Sequence, residues 1–441
     1  MKTTRRIDLH KHYQIPDKTT TVRYKGYILV VADNVANWIV LENDSQLEFY
    51  ELLKSLPLDE ALESFKGDFV DARKTVIQLE AKQFENTEVK RTKAGRMHIY
   101  LTNACNMRCP HCYMYAGDKA ENELTTAELE QLLRLYARHG GKSVTFSGGE
   151  ICMRKDLYEL VLCGYHQGLS VQLLTNGILW TDVMIEKIAP LVSSVQISID
   201  GFDEKTNAKI RGKGSFEKAL DNLNKFIASG VHTELAITPF YDATLSKNYV
   251  KYVEFAKSLL EKYKDNGFKV IFSGELMDGR NLKLTSQQQD EYVSIMEKVN
   301  AMCYGETAIE DAFVSARKNR EIKTNCTYGC LNVSAMGDVY YCSRVGSLKP
   351  FANIRTSDFS KILRLSENAS EASEVEHLTP CKDCELKYIC GGGCRIKYFK
   401  DFTHCTDFEH VDCLLLSRTC SIKDKEYFYD LMLRTNHRLY K

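Results

Sequence analysis

Cys105-Asn106-Met107-Arg108-Cys109-Pro110-His111-Cys112 decides how the rest of the chain is read. Three thiols spaced C-x3-C-x2-C on one loop can converge on a single metal centre. An iron-sulfur cube ordinarily takes four cysteine thiolates, so a loop with three leaves one iron for a ligand from outside the protein. Zinc competes for the same loop, because Cys109 and Cys112 have C-x2-C spacing and His111 adds a nitrogen.

Downstream and just upstream, the pattern alternates. Met97 to Thr102, Ser143 to Phe146, Ser170 to Leu174, Ser194 to Ile199, Thr233 to Thr238 and Lys269 to Phe272 are apolar runs without proline, separated by helical segments. Thr125 to Glu128 forms a T-x-x-E capping box; Leu129, Leu132, Leu133 and Tyr136 follow on one face, and Gly140-Gly141 stops the helix. Strands alternating with helices give a parallel sheet, and six units are too few for a closed eight-strand barrel. Polar motifs sit at the strand ends: Cys105 after the first, Gly148-Gly149-Glu150 after the second, Asn176 after the third, Ser198 and Asp200 at the fourth. Parallel barrels concentrate sites on these loops, so the motifs are expected on one rim. Gly148 and Gly149 permit close backbone approach to a ligand, and Glu150 can accept from a cationic amino group. Arg211 can meet a carboxylate, with Gly279-Arg280 a weaker candidate. Each also reads as plain structure, since G-G, T-N-G and S-x-D-G are turn signatures and a loop arginine is commonly just solvated.

The combination resembles the radical S-adenosylmethionine (SAM) family. The resemblance implies a [4Fe-4S] cluster on Cys105, Cys109 and Cys112, whose open iron binds SAM and whose electron cleaves it to a 5'-deoxyadenosyl radical. It implies an open, partial (β/α)6 TIM barrel in an α/β chain. It also implies SAM contacts from Glu150 to the amino group, from His111 at the adenine, from Ser198 and Asp200 at the ribose or methionyl end, and from Gly148, Gly149, Asn176 and Arg211.

Beyond about residue 300 the alternation ends and cysteines crowd. Cys326 and Cys330 precede Gly337-Asp338-Val339-Tyr340-Tyr341-Cys342, and Cys381-x2-Cys384-x5-Cys390-x3-Cys394 follows. C-x2-C pairs also suit a zinc ribbon. The spacing resembles the SPASM extension, which implies two auxiliary [4Fe-4S] clusters: one on Cys326, Cys330, Cys342 and Cys394, the other on Cys381, Cys384, Cys390 and a distal cysteine. Cys420 is favoured for the last position over Cys413 and Cys405. The tight C-x3-C at 326 and 330 leaves room for an open iron on the first. Cys152, Cys163 and Cys303 lie outside every motif and read as buried small residues.

Residues 1 to about 90 contain no cysteine and read as a separate α+β domain. Thr21 to Tyr24, Tyr27 to Val31 and Asn37 to Leu41 are its strands; helices follow from Asp44 and, past Pro57, from Leu58. This order resembles the winged-helix-like peptide-recognition domain of ribosomal-peptide maturation systems, which implies a leader peptide added at a sheet edge. A cap on the barrel is the plainer alternative. The expected division is 1–90 for recognition, 91–300 for the barrel and 301–441 for the auxiliary clusters.

The 441 residues carry 59 Lys plus Arg against 59 Asp plus Glu, so no net field favours nucleic acid or an acidic membrane. No apolar run reaches spanning length and no signal segment is evident, which suggests the cytoplasm. Sixteen clustered cysteines then read as metal ligands in a reducing compartment rather than as disulfides. The expected function is oxidative modification of a ribosomally made precursor peptide, by a thioether or carbon-carbon crosslink, with flavodoxin or ferredoxin as reductant. Sulfatase-maturase-type oxidation of Cys or Ser and peptide epimerisation are the alternatives, and a non-catalytic metal-binding adaptor is a remote one.

Overall fold

A computed structural model describes residues 7–85, 95–317, 326–345, 348–399, 408 and 420–436. The N-terminal strands β1 (Thr19–Tyr24), β2 (Tyr27–Ala32) and β3 (Trp38–Leu41) form an antiparallel sheet in that order. Lys25 (φ 48°) and Gly26 (φ 80°) turn β1 into β2, the two left-handed residues that a tight hairpin requires. Helices Asp44–Leu52, Leu58–Ser64 and Phe69–Lys82 follow.

Strand side chains alternate faces, and here both faces are covered. Ile28, Val30, Ile39 and Leu41 pack with Phe49, Tyr50 and Val76 of the domain's own helices. Leu29, Val31, Trp38 and Val40 pack instead with Tyr328, Tyr341, Ala369, Leu431 and Met432 from the C-terminal third. The sheet therefore sits on the cysteine-rich region, and the alternative of a barrel cap is not what the packing gives.

Six parallel strands follow: β4 (Arg96–Tyr100), β5 (Ser143–Ser147), β6 (Ser170–Thr175), β7 (Ser194–Ser198), β8 (His232–Ile237) and β9 (Lys269–Phe272). They match the expected runs, and the Thr125–Glu128 capping box forms. Their apolar character belongs to one face only. Met97, Ile99, Val144, Phe146, Val171, Leu173, Val195 and Ile197 join the helices in the main core. The alternate positions, among them His98, Thr145, Gln196, Ser198 and Glu234, are only partly buried and line the other face.

The sheet does not stop at residue 300. β10 (Leu331–Val333) pairs parallel with β4, and β11 (Asp338–Tyr340) and β12 (Ala352–Asn353) continue antiparallel, giving an open nine-stranded sheet in the order β12-β11-β10-β4-β5-β6-β7-β8-β9. The expected limit at 300 falls inside helix Ser286–Tyr304. Strands of two or three residues carry too little pattern to be read locally; their partners define them. Among the described residues no helix is long and apolar enough to cross a membrane.

Candidate active site

β4 runs directly into the cysteine loop, and a buried carboxylate fixes the entry. Glu123 accepts from Thr102 Oγ1 at 2.9 Å, Asn103 N at 2.8 Å and Ala120 N at 3.0 Å. Cys105 N donates to Gly117 O at 2.8 Å, and Arg108 Nη1 donates to Cys105 O at 2.8 Å, closing the loop on itself. The far side is held by the segment after β9: Asn281 N donates to Pro110 O at 2.8 Å, and the Arg280 guanidinium donates to Ala116 O. Gly279 lies against His111, where an added Cβ would meet the backbone carbon at 2.4 Å. Gly279-Arg280 thus braces the loop.

The three thiols lie within electrostatic reach of one another. Burial first, then the Glu150 carboxylate and the neighbouring thiols, pushes Cys105 up to about 11; burial also raises Cys109. Bare, Cys105 and Cys109 stay protonated, and a bound cation is what makes thiolates of cysteines. Among the described residues no three His, Cys, Asp or Glu side chains close on a single metal ion, whereas a cube spreads its thiolates over several irons. Three thiols on one loop fit a [4Fe-4S] cluster that keeps one iron for an outside ligand.

The Gly148-Gly149-Glu150 turn packs on that loop's backbone. Gly149 N donates to Thr102 O and Glu150 N to Ala104 O, both at 2.8 Å. A Cβ on Gly149 would meet Ala104 O at 2.2 Å, and one on Gly148 (φ +144°) would meet Thr102 O at 2.5 Å. The close approach that the glycines permit is therefore to the cysteine loop itself, where a ligand was expected. Glu150 is 1% exposed. Its carboxylate accepts from Thr175 Oγ1 at 2.5 Å, Asn176 N at 2.7 Å and Cys152 N at 3.3 Å. Burial raises its pKa while these bonds oppose the rise. Asn176 Nδ2 donates to Asn106 Oδ1 at 2.8 Å, joining the third strand's turn to the cysteine loop. Thr175 and Asn106 lie in the T-N-G turn and the cysteine loop, but only their contacts reveal what they hold.

Asp200 is fully buried and turned inward. It accepts from Arg211 Nε at 2.6 Å and Thr238 N at 3.0 Å, and lies 3.3 Å from His111 Nε2. Asp200 thus pairs with Arg211 and stands beside His111. Arg211 uses only Nε in this pair, so its Nη groups are left for a carboxylate. His111 Nδ1 is buried with no hydrogen-bond partner, and burial lowers the ring's pKa. Ser198, the last residue of β7, is half-buried. Cys105, Cys109, Cys112, His111, Glu150, Asn176, Asp200 and Arg211 are thus linked around one rim.

The distal cysteines fall into two groups. Burial raises Cys342, which also senses Cys326 and Cys394; Cys330 is raised by burial and senses Cys326 and Cys342. Cys394 therefore lies within electrostatic reach of Cys342, and Cys326 within that of Cys330. Arg395, fully buried, donates to Ser373 O and Gly391 O at 2.8 and 3.0 Å and stands within reach of Cys326, Cys381, Cys390 and Cys394. Sequence reading missed it. Cys384 and Cys420 both act on Lys425 and Tyr429; the competing Cys405 and Cys413 lie outside the described residues. Cys163 is buried, whereas Cys152 and Cys303 are partly buried.

The Radical SAM superfamily profile matches residues 99–247. Fe-coproporphyrin III synthase of Methanosarcina barkeri is 35% identical over 190 residues, 42% of this chain and 45% of that protein's length. Mycofactocin maturase MftC of Mycolicibacterium smegmatis is 29% identical over 317 residues, 68% of this chain and 77% of its own. The solved structure of native anSMEcpe with bound AdoMet and the Cp18Cys peptide superposes with a TM-score of 0.56 at 16% identity, covering 78% of this chain and 97% of that one. The profile lies across the cysteine loop and the strands that hold its rim, so that this stretch of the chain is similar to the radical SAM superfamily.

Proposed function

We propose that this radical SAM enzyme oxidatively modifies a ribosomally made precursor peptide, forming a thioether or carbon-carbon crosslink. The observation that carries the first half is the convergence of Cys105, Cys109 and Cys112 with Glu150, Asn176, Asp200 and Arg211 on one rim of a parallel sheet. Cys105, Cys109 and Cys112 would hold a [4Fe-4S] cluster, which would supply the electron for reductive cleavage of SAM. Glu150 holds the amino group of SAM and Arg211 its carboxylate. Asp200 fixes Arg211 and keeps His111 turned toward the same pocket. The half-open face of the sheet, with Thr145, Gln196 and Glu234, receives the residue to be modified.

A peptide substrate is supported by the N-terminal sheet ahead of the matched domain and by a relative named as a maturase. Residues 7–85 serve recognition, and the two distal cysteine groups would hold auxiliary [4Fe-4S] clusters, which would offer a place for the surplus electron of an oxidative crosslink. The reductant is a flavodoxin or ferredoxin. Anaerobic reconstitution tests the reading: about twelve irons per chain with 5'-deoxyadenosine formation is expected for three cubes. Replacing Cys105, Cys109 and Cys112 together by Ala should leave about eight irons and no SAM cleavage; persistent cleavage rejects the assignment.

A further inference from the structure

The C-terminal helix Ile422–Asn436 touches two regions with no obvious reason to communicate. Its first turns face the distal cysteines. Lys425 Nζ donates to both Glu385 oxygens at 3.0 and 2.9 Å, and Tyr429 OH donates to the same carboxylate. Lys425 and Tyr429 are four residues apart, which sets them on one helix face. Glu385 directly follows Cys384, whose Sγ lies 3.5 Å from Glu385 Oε2. Cys420 stands just before the helix, and Ser421 caps it through Asp424 at 2.8 Å.

Its other side faces the N-terminal sheet. The Tyr429 ring packs on Tyr24 with centroids 5.2 Å apart, and Asp430 pairs with Lys25 at 2.6 Å in the β1–β2 turn. Leu431 and Met432 share a core with Val40 and Trp38. Asn436 Nδ2 donates to Val40 O at 3.4 Å and Lys82 donates to Thr435 Oγ1 at 3.5 Å. The Lys25–Asp430 pair is exposed and worth little by itself. Apolar contact and the partly buried Glu385 bonds carry the joint. Tyr429 belongs to both sides at once, with its hydroxyl on Glu385 and its ring on Tyr24.

We infer that the thiolate group of Cys381, Cys384, Cys390 and Cys420 is the anchor that docks the N-terminal sheet, with Glu385 as the positioning residue and the C-terminal helix as the strut. Occupancy of that group then sets the order of the domain that reads the peptide. The inference rests on the proposed second auxiliary cluster. It gives that cluster a structural task beside any electron transfer, in the way that metal sites couple binding to folding.

Hydrogen exchange read by mass spectrometry on the full-length, anaerobically reconstituted protein tests it. Exchanging Cys384 and Cys420 for Ser should remove about four irons and raise amide exchange across 27–41 and 422–436 about tenfold or more. The triple Cys105, Cys109, Cys112 to Ala variant loses similar iron and should leave those amides unchanged. Glu385→Ala should keep its iron yet raise the same exchange; Tyr429→Phe, which retains the ring contact, should do so more weakly. Full iron with unaltered exchange in Glu385→Ala overturns the strut. If the Cys384 and Cys420 variant keeps its iron, it is the cluster assignment that fails.

Discussion

Asp200 accepts from Arg211 and from Thr238 N, and stands 3.3 Å from His111, with no exposed surface of its own. Asp200→Asn leaves Arg211 without its counter-charge, and SAM affinity is expected to fall at least about tenfold, a loss of about 1–3 kcal/mol; equilibrium binding to the reconstituted protein measures it. Gly149→Ala acts on the cluster instead. Its Cβ falls 2.2 Å from Ala104 O, so the cysteine loop must move at a cost of about 1–3 kcal/mol, and the cluster's iron and its EPR signal should be lost before the fold is. His98 offers a pH test. Burial holds its ring at about 4 against an ordinary 6.5, so the native state resists a proton that the unfolded chain accepts. The resulting stability is present in full above pH 6.5 and is lost as pH falls through 4. His98→Phe, which retains the stacking on Tyr100 at 4.4 Å, should remove about 2 kcal/mol of the decline between pH 7 and pH 5, read as urea midpoints at each pH.

Glu128 works between elements. It closes the capping box on Thr125 and also takes Arg355 Nε at 2.6 Å, tying the first barrel helix to the segment after β12. The hydrogen bond from Arg355, and then that from Thr125, holds its carboxyl down at about 2. Arg355→Ala should therefore unpin β12 from the barrel with little effect on overall stability, since the pair is one-third exposed. The expected sign is faster exchange at 352–353 with unchanged iron. The capping box itself was legible because two residue types at a fixed offset specify it. The Arg355 contact was not, since 227 residues separate the partners. The six main strands were likewise legible from their runs, but which face stayed open was not, because that depends on where the helices cross.

The N-terminal domain buries Leu29, Val31, Trp38 and Val40 against the C-terminal third, so deleting it does more than remove a recognition surface. A chain without residues 1–90 is expected to expose that core and aggregate or melt earlier. Trp38→Ala should cost about 3–5 kcal/mol, read as a lowered unfolding midpoint; a midpoint unchanged from the parent would mean that the domain is only loosely held. By itself the sequence determined the three-cysteine loop and the succession of the six main strands, because each is written in spacing along the chain. Only the tertiary structure decided that the two glycines serve the cysteine loop, that Asp200 turns inward, that Arg395 sits between the distal thiols, and that the N-terminal sheet rests on the cysteine-rich region. Those outcomes depend on partners 11 to several hundred residues away, and local pattern carries no term for them.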